Sequence, residues 1–365
     1  MKHILIIVGE ELHINEPFLD YILGRFKAQF SQNPLIYYIG DGDKELPFKI
    51  ENQAKNFDFV TIVANESNFY TISKILCTLS GDSLELKDET LMPSRTEIFT
   101  QNSFALELFN AQINLLKAVP TQKLPNFLLS AENKTALFSL LNMDKNTADA
   151  ILAPLSATYN INVFTTSILE NLIFVKAVSQ KFGQIDSFLL NLKESLQSNF
   201  IDSGNIVNFV VSCLKHKNLS ISFSESCTAG LMASKVGQIP GASKVFSGSL
   251  VTYSNHIKNV WLGVEEEIFE NFGAVSQECV LAMAKGAKEM AGSDFGVAIS
   301  GIAGPDGGTQ SKPVGRVYIA VCDENRSVAK EYNFKGNRNY IREQAALSAY
   351  ALLLSTFWDE IVLYF

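Results

Sequence analysis

Cysteine is scarce in this chain. The five residues (Cys77, Cys213, Cys227, Cys279 and Cys322) are scattered, odd in number and never in a C-x-x-C pair. This excludes a disulfide framework and leaves no spacing for a zinc site, so no metal is expected. Basic blocks are also missing. Lys and Arg total 30 against 38 Asp and Glu, a net charge of -8, which argues against a nucleic acid backbone as partner. A smaller anion held by a local site remains open. Long apolar runs are lacking too. Ile4 to Val8 gives way to Gly9-Glu10-Glu11, too short for a signal-peptide core or a bilayer span, and no later run is long enough. A cytosolic protein with no membrane partner is expected. Glycine is rare in the first 200 residues, which hold six of the 22 (Gly9, Gly24, Gly40, Gly42, Gly81 and Gly183). The remainder is therefore much richer in turns and close backbone approaches, where site chemistry is more readily built.

What is present is a globular composition, 47% hydrophobic and 19% charged, over 365 residues, enough for two or three domains. There is no internal repeat or low-complexity segment. Strands at Ile4–Val8, Leu35–Ile39 and Phe57–Ala64 alternate with helices from about Pro17 to Phe30 and from Asn65-Glu66-Ser67 to about Leu79. Such β-α alternation implies a parallel sheet covered on both faces, and Leu124-Pro125-Asn126-Phe127 ends the unit. Residues 126–200 read as a small α+β connector. It has helices at Lys134–Leu141, Thr147–Leu155 and Ile185–Leu196, and strands at Asn160–Thr165 and Leu172–Val178. From residue 201 a second layered α/β unit is expected. Its strands are Leu219–Phe223, Val245–Tyr253, Phe295–Ser300, Arg316–Cys322 and Val328–Phe334, and its helices are Asn205–Lys215, Leu231–Val236, Gln277–Ala291 and about Arg338–Thr356.

Chemistry concentrates in this last unit. Ser222-Phe223-Ser224-Glu225-Ser226-Cys227-Thr228-Ala229-Gly230 joins a strand to a helix through hydroxyls and a carboxylate. The amides of a helix's first turn are unpaired and sit at the positive end of its dipole, so they can hold an anion or an oxyanion, with a serine there as nucleophile. The alternative is that Ser226 or Thr228 simply caps the helix. Cys227 is a second candidate nucleophile, ranked below Ser226. Tyr253 and Lys258 share one site if the chain turns at Ser254-Asn255; His256, lacking an acidic or cysteine neighbour, is read as structural. Residues 301–315 hold five glycines and two prolines, a loop whose amides can close around a ligand. It is neither a Walker A loop nor a dinucleotide fingerprint. Arg338 and Arg342 share one helical face and can clamp a phosphate.

Taken together, Glu225-Ser226-Cys227-Thr228-x-Gly230, Tyr253-Ser254-Asn255 with Lys258, Leu262-Gly263-Val264, Ser300-Gly301-x-Ala303-Gly304-Pro305 and Pro313-Val314-Gly315 resemble the C-terminal domain of the CinA family over roughly residues 201–355. The resemblance implies a three-layer α/β domain at 201–365 that hydrolyses nicotinamide mononucleotide (NMN) to nicotinic acid mononucleotide and ammonia, with no cofactor. It implies Ser226 as nucleophile, Lys258 as its base and Tyr253 in the same network. Amides near Ser226 and Gly301 would receive the oxyanion. Glu225, Thr228, Ser300, Gly301, Ala303 and Gly304 would line the substrate site, and Arg342, with Arg338 as the second candidate, would hold the 5′-phosphate. Relatives mostly have glycine at position 229; the Ala229 methyl is accommodated if that position takes helical dihedrals.

Residues 1–125 resemble the family's molybdopterin-binding-like α/β domain, through Ile6-Ile7-Val8-Gly9-Glu10-Glu11-Leu12. The family's Gly-Gly-x-Gly-Pro-Thr stretch and paired aspartates are replaced by Val63-Ala64-Asn65-Glu66-Ser67-Asn68-Phe69-Tyr70. Without these glycines and metal-binding carboxylates, a scaffolding or dimerising role is expected rather than the ADP-ribose diphosphatase activity of some relatives. The resemblance also implies a homodimer. A non-catalytic, competence-related interaction protein is the alternative from another class.

Overall fold

The computed structural model describes residues 2–30, 33–130 and 135–362. The protein is multidomain α/β and divides into two compact units, Met1–Lys134 and Thr135–Phe365.

The first unit is built on a six-stranded sheet. In order across the sheet its strands are Leu35–Ile39, His3–Val8, Phe59–Ala64, Ala111–Lys117, Ser103–Leu108 and Ile98–Thr100. Helix Glu16–Phe30 packs on one face, and helices Leu46–Asn56 and Glu66–Ser80 on the other. The sheet is mixed, which corrects the wholly parallel reading: the first four strands are parallel, and the last two run antiparallel. The reason lies in tight turns. Phe109 and Asn110 both take positive φ (52° and 70°) between paired Leu108 and Ala111, the geometry of a two-residue hairpin.

The second unit opens with a correction. Residues 135–141, expected to be helical, form strand Thr135–Leu141 in the middle of a four-stranded sheet; Lys134 lies outside the described residues. Phe138 and Leu140 enter one core while Leu141 enters another, the two-residue alternation that only an extended chain gives. Burial between two layers overrides the helix preference of an Ala- and Leu-rich segment. We keep the 126–200 connector as a proposal: its sheet is separate, yet Leu141, Leu169 and Leu172 join the core of the sheet that follows.

That following sheet carries the candidate site. Its elements in chain order are α1 (Ile206–Lys217), β1 (Ile221–Glu225), α2 (Leu231–Gly237), β2 (Phe246–Val251), α3 (Asn255–Leu262), α4 (Glu266–Asn271), α5 (Gln277–Ala291), β3 (Phe295–Gly301), β4 (Arg316–Cys322), β5 (Ser327–Asn333) and α6 (Arg338–Ile361). The strand order is β2-β1-β3-β4-β5. Strand β1 is parallel to both neighbours, and β4 and β5 are antiparallel. Helices α1, α2 and α6 share one core with the sheet, and α5 packs with the end of α3 on the opposite face. This is the expected three-layer arrangement. The C-terminal ends of the parallel strands β1, β2 and β3 lie side by side, where open α/β sheets bind ligands.

Candidate active site

Ser226 follows directly on β1. Its N–H donates to the Ile299 carbonyl on β3 at 2.9 Å, so the residue is tied to the sheet before the chain turns away. The turn runs through buried Cys227 and Thr228 to Ala229 and Gly230, both with positive φ (49° and 87°). Helix α2 begins only at Leu231 and its N-cap is Gly230, so neither Ser226 nor Thr228 is the cap. The first-turn amides of α2 are not open to an anion. Glu225, 0% exposed, takes them, accepting from Met232 N–H at 3.1 Å and Ala233 N–H at 3.0 Å and from Ser249 Oγ at 3.0 Å. The Ser226 amide is spent on Ile299 and the Ala229 amide on the Ser226 carbonyl at 3.1 Å. That leaves Cys227, Thr228 and Gly230 as the amides of the turn without a backbone acceptor among the described residues.

Lys258 approaches from the neighbouring strand end. Ser254 caps α3, its Oγ accepting from Ile257 N–H, so the chain turns at Ser254 into a helix with Lys258 on its first turn. Its side chain is 1% exposed. The Nζ lies 3.2 Å from Ser226 Oγ, 2.8 Å from the Thr252 carbonyl and 3.1 Å from the Tyr253 carbonyl. No carboxylate stands among these partners, and burial pulls the amine's pKa below its usual 10.5. Burial has the opposite effect on the Cys227 thiol, pushing it up to about 12, which keeps it a protonated thiol rather than a nucleophile.

The remaining expected residues are placed around this pair in several ways. Tyr253 is 58% exposed, and its hydroxyl accepts from Arg338 Nη2 at 2.9 Å rather than joining Ser226 and Lys258; it reaches that pair through its backbone carbonyl. Arg338 Nη1 also donates to the Gly304 carbonyl at 2.8 Å, which ties the 301–315 loop to the start of α6. Arg342 Nη2 donates to the Thr228 carbonyl at 2.7 Å. Ser300 Oγ donates to the Ala274 carbonyl at 2.6 Å, so its hydroxyl is directed at the loop before α5, and Ala303 is buried in the core. Gly301 sits against the adjacent antiparallel strand: a Cβ there would lie 2.6 Å from Val317 Cγ2 and 2.8 Å from the Arg316 carbonyl. Sequence reasoning missed Thr252, Ser249 and Ala274, whose contributions are a carbonyl, a brace on Glu225 and a second carbonyl. Backbone acceptors leave no signal in a sequence.

A protein of Thermosipho melanesiensis described as CinA-like is 32% identical over 356 residues, spanning 95% of this chain and 78% of that relative. The chain belongs to the CinA family. Residues 204–357 match the family model for the CinA C-terminal domain. A CinA-like protein of Fervidobacterium nodosum is 47% identical over 169 residues, which cover 46% of this chain and 41% of that relative's length. Among solved structures, the competence/damage inducible protein CihA of Agrobacterium tumefaciens is 36% identical, covers 41% of this chain and 92% of its own, and superposes with a TM-score of 0.41.

One feature of this CinA-family site departs from expectation. Ala229, at φ 49°, lies in the left-handed region, not in the ordinary helical region that would accept its methyl freely. A left-handed Cβ costs about 1–2 kcal/mol, against about 0.5–1 kcal/mol of extra chain entropy that glycine loses on folding. Ala229→Gly is therefore expected to stabilise the second unit by about 0.5–1 kcal/mol in urea unfolding monitored by circular dichroism. A destabilised variant would show that the turn is not strained at this position.

The first unit carries a polar cluster of its own. At the ends of its parallel strands, Asp41 accepts from Glu10 N–H at 3.0 Å, Asn65 Nδ2 at 3.3 Å and Asn68 Nδ2 at 2.5 Å. Asn65 lies against Gly9 (φ 119°), filling the space beside that backbone. Amide side chains thus cover backbone that would have to be bare to hold a diphosphate. Incubating the full chain with ADP-ribose and a divalent cation is expected to release no AMP above background; appreciable release would restore this unit as an enzyme.

Proposed function

We propose that this protein is an amidohydrolase converting NMN to nicotinic acid mononucleotide and ammonia, acting in the cytosol as a homodimer and without a cofactor in this step. The observation that carries the reading is the buried Lys258 amine 3.2 Å from Ser226 Oγ, with no carboxylate among its partners. Three acceptors surround Nζ. As an ammonium it spends one N–H on each. As the neutral amine favoured by burial, it keeps two N–H bonds to the Thr252 and Tyr253 carbonyls, and its lone pair then faces Ser226, whose hydroxyl becomes the donor. The two carbonyls thus aim the base.

In the proposed reaction Ser226 Oγ bonds to the carboxamide carbon while its proton passes to Lys258 Nζ. The carbonyl electron pair moves onto oxygen, for which the unpaired amides of the turn are the available donors. The C–N bond then breaks, and ammonia leaves with the proton from Lys258. Water attacks the acyl-serine with Lys258 again as base, restoring the hydroxyl and releasing the acid. Substrate charge fits the surroundings: the partners of Arg338 and Arg342 are carbonyl, hydroxyl and amide oxygens, so among the described residues no carboxylate neutralises either guanidinium. The exposed Arg338, on exchanging its Tyr253 hydroxyl bond, is the group placed to take a phosphate. Purified protein mixed with NMN tests the reading directly. Enzymatic detection of ammonia supports it, and a protein that binds NMN but liberates none overturns it in favour of a non-catalytic role.

A further inference from the structure

The turn that presents Ser226 is held by a guanidinium from α6. Arg342 stands at the start of the second turn of α6, whose N-cap is Asn337. Its Nη2 donates to the Thr228 carbonyl at 2.7 Å and its Nη1 to Asn339 Oδ1 at 3.3 Å, while Nε is buried without a hydrogen-bond partner. The Thr228 carbonyl also accepts from Leu231 N–H at 3.2 Å. That carbonyl belongs to the peptide leading into Ala229, the strained left-handed residue. Backbone held in such a region persists only where its surroundings over-determine it. Here a charge-assisted bond from a partly buried guanidinium does so. The guanidinium that a phosphate would need is committed instead to the backbone of the nucleophile turn.

We propose that Arg342 is a positioning residue: through the Thr228 carbonyl it locks the Ser226–Gly230 turn in the conformation that keeps Ser226 Oγ beside Lys258. If the peptide between Thr228 and Ala229 rotates, Ser226 loses its 3.2 Å approach to Nζ, and the unpaired amides of the turn lose their aim. The loss falls on turnover, not on binding, and it is blind to whether the substrate carries a phosphate. This rests on the deamidase reading only for its choice of substrates.

The experiment compares the full chain with Arg342→Ala, Arg342→Lys and the double variant Ala229→Gly/Arg342→Ala. For each, kcat and KM are measured with NMN and with nicotinamide riboside, and Ser226 is separately labelled with phenylmethylsulfonyl fluoride. Displacements of about 1 Å cost about 10²-fold in rate. Arg342→Ala is therefore expected to lower kcat by about 10- to 100-fold on both substrates with KM for NMN within about twofold. Arg342→Lys, with one donor left for the carbonyl, should recover part of the loss. Ala229→Gly should also recover part, because a left-handed glycine no longer needs the lock. A phosphate ligand predicts neither recovery by glycine nor an equal loss on the riboside. A raised KM confined to NMN, or no coupling between positions 229 and 342, overturns the proposal. Should the unaltered protein release no ammonia from NMN, the deamidase reading fails by itself. The lock is then judged on labelling rates, which should fall in Arg342→Ala and rise again in the double variant; unchanged labelling would end it.

Discussion

Ser226→Ala is expected to lower ammonia release from NMN by more than about 10⁴-fold, since removing a serine nucleophile from a paired site leaves only binding and oxyanion stabilisation. The fold should survive. Among the described residues the hydroxyl bonds only to Lys258, and the backbone tie of this residue, N–H to the Ile299 carbonyl, does not depend on the side chain. Comparison of kcat/KM with the unaltered protein, alongside matched thermal melts, measures this. A variant that retains a tenth of the rate would mean that the chemistry does not pass through an acyl-serine.

Lys258→Ala should cost nearly as much, and the Ser226→Ala/Lys258→Ala pair little more than either alone, because nucleophile and base act as one unit. The pH profile gives an independent handle. Only the neutral amine can take the serine proton, so kcat/KM should climb with pH as Lys258 loses its proton. Burial lowers the pKa of this amine, so the limb should be centred below the lysine value of 10.5. In Lys258→Ala whatever rate remains should lose that limb. A limb centred at or above 10.5 would assign the base to an exposed amine instead.

How far the site could be read from the chain depends on what holds each residue. Ser226, Lys258, Arg338 and Arg342 carry functional groups of recognisable chemistry, and motif order grouped them correctly in one unit. Their partners were not legible. The Tyr253 hydroxyl goes to Arg338, and Glu225 buries its carboxylate on the α2 amides instead of facing the cleft. Both outcomes turn on which neighbour lies within reach: the start of α6 brings Arg338 to Tyr253, and the start of α2 brings its amides to Glu225. Ala229 illustrates the same limit, because a methyl says nothing about the sign of φ.

The chain by itself determined the five strands of the last sheet, its helices α1, α2, α5 and α6, and the spacing of hydroxyl, amine and guanidinium groups, because these follow from local pattern and side-chain chemistry. Tertiary structure decided the rest. It made 135–141 a strand, since burial on two faces outweighs a helix-favouring composition. It also turned an ordinary lysine into a candidate base, since only packing could remove water from Nζ and set two backbone carbonyls and Ser226 around it.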